Sequence, residues 1–302
     1  MADPKLSVVI IAYEMPRALP RTIQSLSPPY QQDVSADDYE LIVIDNGSPE
    51  PVAEAELASW GARVRAVHLE DAPPTPVEAV NLGLSMAQAP IVGVMIDGAR
   101  MATPGLLASV LQAARLHERA VIGTLAFHLG PDVQKRTIPA GYDATVEDRL
   151  LDGIDWPSNG YRLFEIAALG GSSSGGVLNP ISETSALFMP RDLWHELGGF
   201  DERFRSPGGG LVNLDTWRRA CDLPDTRVVM PIAEATFHQI HGGVATNSTS
   251  SPFRDFHDEY RQITGQDFVR PHVAPIVVGE VQREALPWLV RSAQSRLAAD
   301  SG

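Results

Sequence analysis

This chain is poor in three things: cysteine, basic charge and long apolar runs. It has a single cysteine, Cys221, so no disulfide can form within the chain. A reducing compartment is the natural reading, and a small buried thiol is the simpler account of Cys221 than a nucleophile. Lysine and arginine total 24 against 38 acids, a net charge of −14. That balance argues against a nucleic-acid backbone or an anionic membrane as the main partner, since both reward basic patches. It leaves room for a local basic site. No run approaches the length of a bilayer span, and the first apolar stretch is too short for a signal peptide. A soluble cytoplasmic protein is therefore expected. The turn after that stretch, Ala12-Tyr13-Glu14-Met15-Pro16, contains no glycine, which removes the dinucleotide fingerprint. No G-x-S-x-G elbow is present, which removes the serine hydrolase of that type. The glycine/serine run Gly170–Gly176 is not followed by lysine, so it is no P-loop. It reads as a mobile linker ahead of a phosphate cradle.

What remains is an ordinary globular composition, 44% hydrophobic and 21% charged over 302 residues, enough to bury a substantial core. Leu6–Ala12 is a continuous, β-branched run of the kind covered on both faces. Helical spacing follows over Arg17–Leu26 and halts at Ser27-Pro28-Pro29. Further strands are expected at Tyr39–Asp45, Val64–Leu69, Ile91–Ile96 and Ala120–Leu125. Helices are expected at Val52–Trp60, Val77–Ala87 and Leu106–Leu116. Strand and helix alternating through short links describe an α/β domain with a mostly parallel, Rossmann-like sheet flanked by helices over residues 1–127. Residues 128–182 are irregular. Regular structure returns with a strand at Ser185–Met189, a helix from Arg191, and two strands expected to pair, Arg227–Met230 with Ala233–His238. A tail helical at Phe253–Thr264 and Glu280–Ala299 closes the chain.

Three buried strands deliver polar residues at their carboxyl ends, where open α/β sheets bind ligands. They bring Tyr13, Asp45 and Asp97 together, and His238 arrives from late in the chain. Packing on the first helix competes for Tyr13, and capping of the following segment for Asp45, but ligand binding is the favoured reading of both. Gly98 frees the backbone beside Asp97, which favours a ligand there over a cap.

These residues resemble a family 2 glycosyltransferase of the GT-A fold, a nucleotide-diphospho-sugar transferase. The resemblance runs from residue 6 to about 243. It is carried by Ser7–Glu14, by Glu40–Ser48 (Glu-Leu-Ile-Val-Ile-Asp-Asn-Gly-Ser), and by Asn81-Leu82-Gly83 with Ala87. Leu197-Gly198-Gly199-Phe200-Asp201-Glu202 and the late His238 complete it. The resemblance implies that Ala12, Tyr13, Glu14, Asp45, Asn81, Asp97, Gly98 and Arg100 bind the nucleotide sugar. It also implies that Asp97 and His238 are the metal ligands. Two departures stand out. Ala99 occupies the place of the second acid of the D-x-D motif, which makes Mn²⁺ or Mg²⁺ doubtful, because hard divalent ions need oxygen donors. Either Asp97, His238, the diphosphate and water still hold a metal, or Arg100 supplies the positive charge instead; Arg100 is equally compatible with a solvated surface position. Asn213 stands at the usual place of the catalytic base, and an amide cannot take a proton. Asp215 is the nearest carboxylate, in competition with an ion pair to Arg218 or Arg219 along its own helix, and Glu183 and Asp201 are reserves. His241 is placed near the phosphates and ranks behind His238 as a ligand.

The resemblance implies transfer of a sugar from a nucleoside-diphosphate sugar to a hydroxyl of a glycan or lipid-linked glycan, in polysaccharide or glycoconjugate assembly. Inversion is favoured over retention. Residues 1–127 are then the nucleotide-sugar half, 128–245 the acceptor and catalytic half of the same domain, and 246–302 a helical C-terminal extension. The extension covers the core or supports a homodimer. The alternative is a non-catalytic nucleotide- or glycan-binding protein on the GT-A fold, which the Ala99 and Asn213 departures support.

Overall fold

Leu6–Ala12 (β1) and Tyr39–Asp45 (β2) are buried at every position, as a strand sandwiched between two helical layers must be. The computed structural model describes residues 3–242 and 253–300. The remaining strands are Val64–His68 (β3), Ile91–Met95 (β4), Arg100–Ala102 (β5), Ala120–Ile122 (β6), Leu125–Leu129 (β7), Ala167–Leu169 (β8), Ala186–Pro190 (β9), Arg227–Pro231 (β10), Ala235–His238 (β11) and Ile276–Val278 (β12). Eight of them form one sheet in the order β12-β10-β6-β9-β4-β1-β2-β3. Every neighbouring pair in it is parallel except those involving β9, which runs antiparallel to both β4 and β6. This is the mostly parallel α/β sheet that the alternating pattern predicts, with helices at Ala18–Ser25, Glu54–Ala58, Val77–Met86 and Leu106–Ala113 between its strands.

A second, four-stranded sheet in the order β5-β11-β7-β8 has no counterpart in the expected elements. The single strand expected at Ala120–Leu125 is two strands. β6 ends at Ile122 in the large sheet, and after the short link through Gly123 and Thr124 the chain enters β7 of the small one. Arg227–Pro231 and Ala235–His238 do not pair with each other. β10 joins β6 and β12, whereas β11 joins β5 and β7, because the turn at Ile232–Glu234 carries the chain from one sheet to the other.

The region read as irregular contains an 11-residue helix, Ala144–Ile154, capped by the Asp143 side chain on the Val146 N–H. The glycine/serine run is pinned. Ser173 is fully buried and its Oγ accepts the Ala126 N–H, while Ser292 of the last helix donates to Gly175 O and accepts from Leu178 N. That last helix, Leu286–Asp300, begins later than expected and follows a strand, β12, that the sequence pattern does not announce. The tail packs on the core through Phe256, Tyr260, Trp288 and Leu289, and the Trp288 indole N–H donates to Phe164 O. The boundary expected at 245/246 lies outside the described residues. No helix among the described residues is long and apolar enough to cross a membrane.

Candidate active site

The site is built where β4 ends and the chain turns into β5. Gly98 donates its N–H to Ile11 O of β1 at 2.7 Å, and a Cβ at this position would lie 2.9 Å from that oxygen. Glycine is what lets the turn press against the end of β1. Within the turn, Asp97 Oδ1 accepts the Ala99 N–H at 2.9 Å, which commits one carboxylate oxygen to the backbone and aims the other outward. Asp97 Oδ2 lies 2.8 Å from His238 Nε2, 3.5 Å from His241 Nε2 and 3.7 Å from Arg100 Nε.

The small sheet lines these partners up. β11 runs antiparallel to β5 and parallel to β7, so Arg100, His238 and His128 occupy one row across three strands. Behind His238 sits Gln134, fully buried at the start of the short helix Gln134–Thr137. Its Nε2 donates to His238 O at 3.1 Å, so its Oε1 is the atom 2.7 Å from His238 Nδ1. A carbonyl oxygen only accepts, which assigns the amide orientation and places the ring proton on Nδ1. The lone pair on Nε2 then faces Asp97 and His241. Burial would raise the Asp97 carboxyl, but the His241 and His238 rings outweigh it and hold it well below the usual carboxylate range. Burial pushes His238 down to about 4 against the pull of Asp97, and pushes His128 down to about 3 with help from His238 and Arg100. Burial also lowers His241, yet Asp97 overrides it and the net shift is upward.

Three donor atoms, one each from Asp97, His238 and His241, lie within 4.8 Å of one another, the only such cluster among the described residues. Two imidazoles and a carboxylate converging on one point are a set that fits a divalent cation. The geometry brings Asp97 and His238 together as expected and adds His241. The position of the missing acid is different in kind. Ala99 is fully buried and belongs to the apolar cluster with Met15, Leu19 and Met95, so an acid there would enter the core.

Arg100 is mostly enclosed, and burial lowers its basicity against the Asp97 and Glu183 charges that support it. Its buried Nε and Nη1 have no hydrogen-bond partner among the described residues. A guanidinium in that state is a donor set without its acceptor. This removes the reading of Arg100 as a solvated surface residue.

The two candidate bases part company. Asp215 is 2% exposed and its Oδ2 accepts from Arg219 Nε at 2.6 Å, with Arg218 Nη2 at 3.4 Å from Oδ1. It is spoken for by its own helix, Val212–Asp222, and the same Arg219 also ties down Leu197 O and Gly199 O. For Asp215 the structure shows the ion pair weighed against the base: the buried carboxylate closes two ion pairs and, through Arg219, holds its helix and the Gly198-Gly199 turn. Glu183 is partly open. Asn213, the amide at the expected base position, donates from Nδ2 to Glu183 Oε2 at 2.8 Å and to Thr184 O at 3.0 Å. Asp201 pairs with exposed Arg203 and caps its N–H, a turn role.

Asn81, expected among the nucleotide contacts, is engaged with the backbone. Its Oδ1 accepts the Phe200 N–H and its Nδ2 donates to Phe200 O, a reciprocal bracket between the helix Val77–Met86 and the Gly-Gly-Phe segment. Gly199, at φ +68°, leaves room for it, since a Cβ there would meet Asn81 Oδ1 at 2.5 Å. Asp45 fills the capping role weighed against ligand binding. Oδ1 accepts from Ser48 N at 2.7 Å and lies 3.0 Å from His68 Nδ1, and Oδ2 accepts from Ser48 Oγ at 2.7 Å. Glu14 takes a left-handed φ of +50° and donates its N–H to Ser48 Oγ, so the turns after β1 and β2 are stitched together. Ala12 is buried and its carbonyl accepts the Asn46 N–H. Tyr13 is 49% exposed beside them, which removes its reading as a core residue.

Sequence reasoning missed Gln134 and the support behind His241. Ile240 donates its N–H to Glu147 Oε2, while Arg17 binds Glu147, Asp148 and Ile240 O at once. The distance along the chain, 130 residues from Arg17 to Glu147, hides this clamp from any local pattern. For His241 a signal existed, the i, i+3 spacing from His238.

Comparison with known proteins agrees with this architecture. No curated protein sequence matches the chain significantly. Among solved structures it is similar to TarS from S. aureus (TM-score 0.54, 15% identity, covering 86% of this chain and 39% of TarS). It is also similar to TarS 1–349 in complex with UDP-GlcNAc (0.54, 17%, 86% and 65%). A third likeness is to the mannosyltransferase PcManGT from Pyrobaculum calidifontis in complex with GDP-Man and Mn²⁺ (0.50, 15%, 98% and 71%). The chain spans less than two thirds of either TarS chain. Residues 7–168, more than half of the sequence, match the family described as Glycosyl transferase family 2. The strand-end turn at Asp97, the late His238 and the mostly parallel sheet thus sit in a chain that belongs to glycosyl transferase family 2.

Proposed function

We propose that this protein transfers a sugar from a nucleoside-diphosphate sugar to a hydroxyl of a glycan or lipid-linked glycan, with inversion, using Glu183 as the base. The observation that carries the reading is Arg100. It is enclosed beside Asp97, within the field of Glu183, and two buried guanidinium nitrogens lack an acceptor among the described residues. A diphosphate supplies such an acceptor in the fork geometry a guanidinium prefers. Two similar structures, TarS 1–349 in complex with UDP-GlcNAc and PcManGT in complex with GDP-Man and Mn²⁺, support a nucleotide sugar as the donor class.

In this reading residues 1–127 bind the nucleotide and residues 128–245 shape the acceptor side, with 246–302 as a helical extension. Tyr13 offers an exposed aromatic face to the base. Asn213 holds the Glu183 carboxylate, whose function is to take the proton of the acceptor hydroxyl. As that oxygen bonds to the anomeric carbon, the bond from this carbon to the phosphate oxygen breaks. The new negative charge on the departing diphosphate meets Arg100. Asp97 and His238 are the residues that would hold a divalent ion, and such an ion supplies further charge stabilisation to the diphosphate.

The test pairs two carboxylate variants in assays of nucleoside-diphosphate release from UDP-, GDP- and TDP-sugars. Glu183→Gln is expected to lower kcat about 10²–10⁴-fold with donor affinity by calorimetry unchanged. Asp215→Asn is expected to act on thermal stability instead. Full rate in Glu183→Gln would remove it as base. Donor binding without turnover in the wild type would favour the non-catalytic reading.

A further inference from the structure

The cation site of this chain uses a different ligand set from the paired acids that Ala99 interrupts, and we infer that His241 is its third protein ligand, shifting the site's preference from Mg²⁺ toward first-row transition ions. The inference rests on the reading of Asp97 and His238 as a cation site, and it concerns a residue that reading does not include.

Four observations carry it. First, the three donor atoms form a triangle with edges of 2.8, 3.0 and 3.5 Å. An ion with bonds of about 2.1 Å separates adjacent octahedral donors by about 3.0 Å and tetrahedral donors by about 3.4 Å. Second, Gln134 Oε1 accepts the Nδ1 proton of His238, so Nε2 is the ring atom left to face Asp97 Oδ2 at 2.8 Å and His241 Nε2 at 3.0 Å. This is also how an outer hydrogen bond orients a ligating imidazole. Third, His241 is not swinging free at the end of its strand. Ile240 N is bound by buried Glu147, and Arg17 bridges Glu147 to Ile240 O, which holds the backbone next to His241 against the helix Ala144–Ile154. Fourth, Ala99 faces the apolar cluster, so the missing carboxylate has no path back into the site from its own position. The third ligand arrives from the end of β11 instead.

The chemical consequence follows from donor type. Mg²⁺ demands oxygen donors and parts with water reluctantly, while imidazole nitrogen suits Fe²⁺, Ni²⁺, Cu²⁺ and Zn²⁺, with Mn²⁺ the weakest of the first-row series and so the most demanding probe of the preference. A two-nitrogen, one-oxygen set therefore discriminates against Mg²⁺, whereas a two-carboxylate site does not.

The experiment is a Mn²⁺ titration followed by electron paramagnetic resonance of the free ion, with the full-length protein and no nucleotide, then with Mg²⁺ added in competition. Wild type is expected to bind Mn²⁺ and to retain it against about a hundredfold excess of Mg²⁺. His241→Ala is expected to lose about tenfold or more in Mn²⁺ affinity, at least the effect of disturbing a residue behind the ligands. Since His241→Ala can perturb the 239–242 segment, His241→Asp is the second variant: it is expected to keep Mn²⁺ binding and to gain Mg²⁺ competition. Mn²⁺ affinity unchanged in His241→Ala, or equal Mg²⁺ and Mn²⁺ affinities in wild type, overturns the inference. If wild type binds no Mn²⁺ at all the inference also fails, and donor binding in the absence of metal then tells whether the transfer reading stands on Arg100 alone.

Discussion

The turns that follow β1 and β2 and the row that crosses the small sheet are made from the same kinds of residue and use them in opposite ways. After β2, Asp45 gives both carboxylate oxygens to Ser48 and His68, and Asn81 nearby gives both halves of its amide to the Phe200 backbone. Polar atoms there build the framework. Across β5, β11 and β7, Arg100 keeps nitrogens with no partner among the described residues, and Asp97, His238 and His241 point donor atoms at one another. Satisfied polar groups hold a fold together, and convergent unsatisfied ones anticipate a ligand. The contrast separates residues that family position alone would class together.

The sharpest way to break this comparison is to place a carboxylate where the D-x-D motif has its second acid. Ala99→Asp buries a charge in the Met15, Leu19 and Met95 cluster. It is expected to cost about 4 kcal/mol of stability and to bring no gain in Mn²⁺ or Mg²⁺ affinity. Denaturant unfolding with metal titration checks both, and gained Mg²⁺ binding at unchanged stability would show that position 99 can face the site.

The next effect lies directly before β11. Glu234 is 7% exposed, accepts from Tyr161 Oη at 2.8 Å and from Thr103 Oγ1, and burial raises its carboxyl to about 7. The fold binds this proton more tightly than the unfolded chain does. The resulting stability is therefore fully present below the ordinary carboxyl value of 4.5 and is lost as pH rises through about 7. The difference is on the order of 3 kcal/mol. Unfolding curves of wild type are expected to weaken from pH 5 to pH 8 relative to Glu234→Gln, which lacks the titration. Parallel slopes in the two proteins would mean that Glu234 is ionised within the fold.

The smallest expected effect tests the framework side. Asn81→Ala deletes two hydrogen bonds to Phe200 and is expected to cost about 2 kcal/mol, with donor affinity unchanged. A lost donor affinity at unchanged stability would return Asn81 to the nucleotide contacts.

Much of the fold was readable in advance, and its limits are instructive. The bounds of β1 and β2 follow from runs of β-branched residues that are covered on both faces, a local property. The second sheet was not readable. Its β5 and β8 are three residues each, as is β12 of the large sheet, and the patterns of β10 and β11 look like a hairpin although each belongs to a different sheet. Short strands carry too little periodicity to announce themselves, and which partner a strand takes depends on residues far away. The helix Ala144–Ile154 was lost among turn formers, although Asp143 at its start was a usable cap signal.

For the site, the sequence by itself determined the chemical inventory. It placed Asp97 and Asp45 at strand ends, a tyrosine after β1, a histidine at the close of a late strand, an alanine where an acid is usual and an amide where a base is usual. The strand-end placements depend only on residue identity and local spacing, and the two departures on the resemblance to the family. The tertiary structure alone decided which groups are already paired. Asp215 and Asn81 are consumed by neighbours, Glu183 is held by Asn213 from 30 positions away, and Gln134 reaches His238 across 104. Hydrogen bonds and ion pairs are satisfied in space, and the energy of a buried polar atom depends on what lies within about 3 Å of it. A sequence lists the donors and acceptors, and folding chooses which of them are left for a ligand.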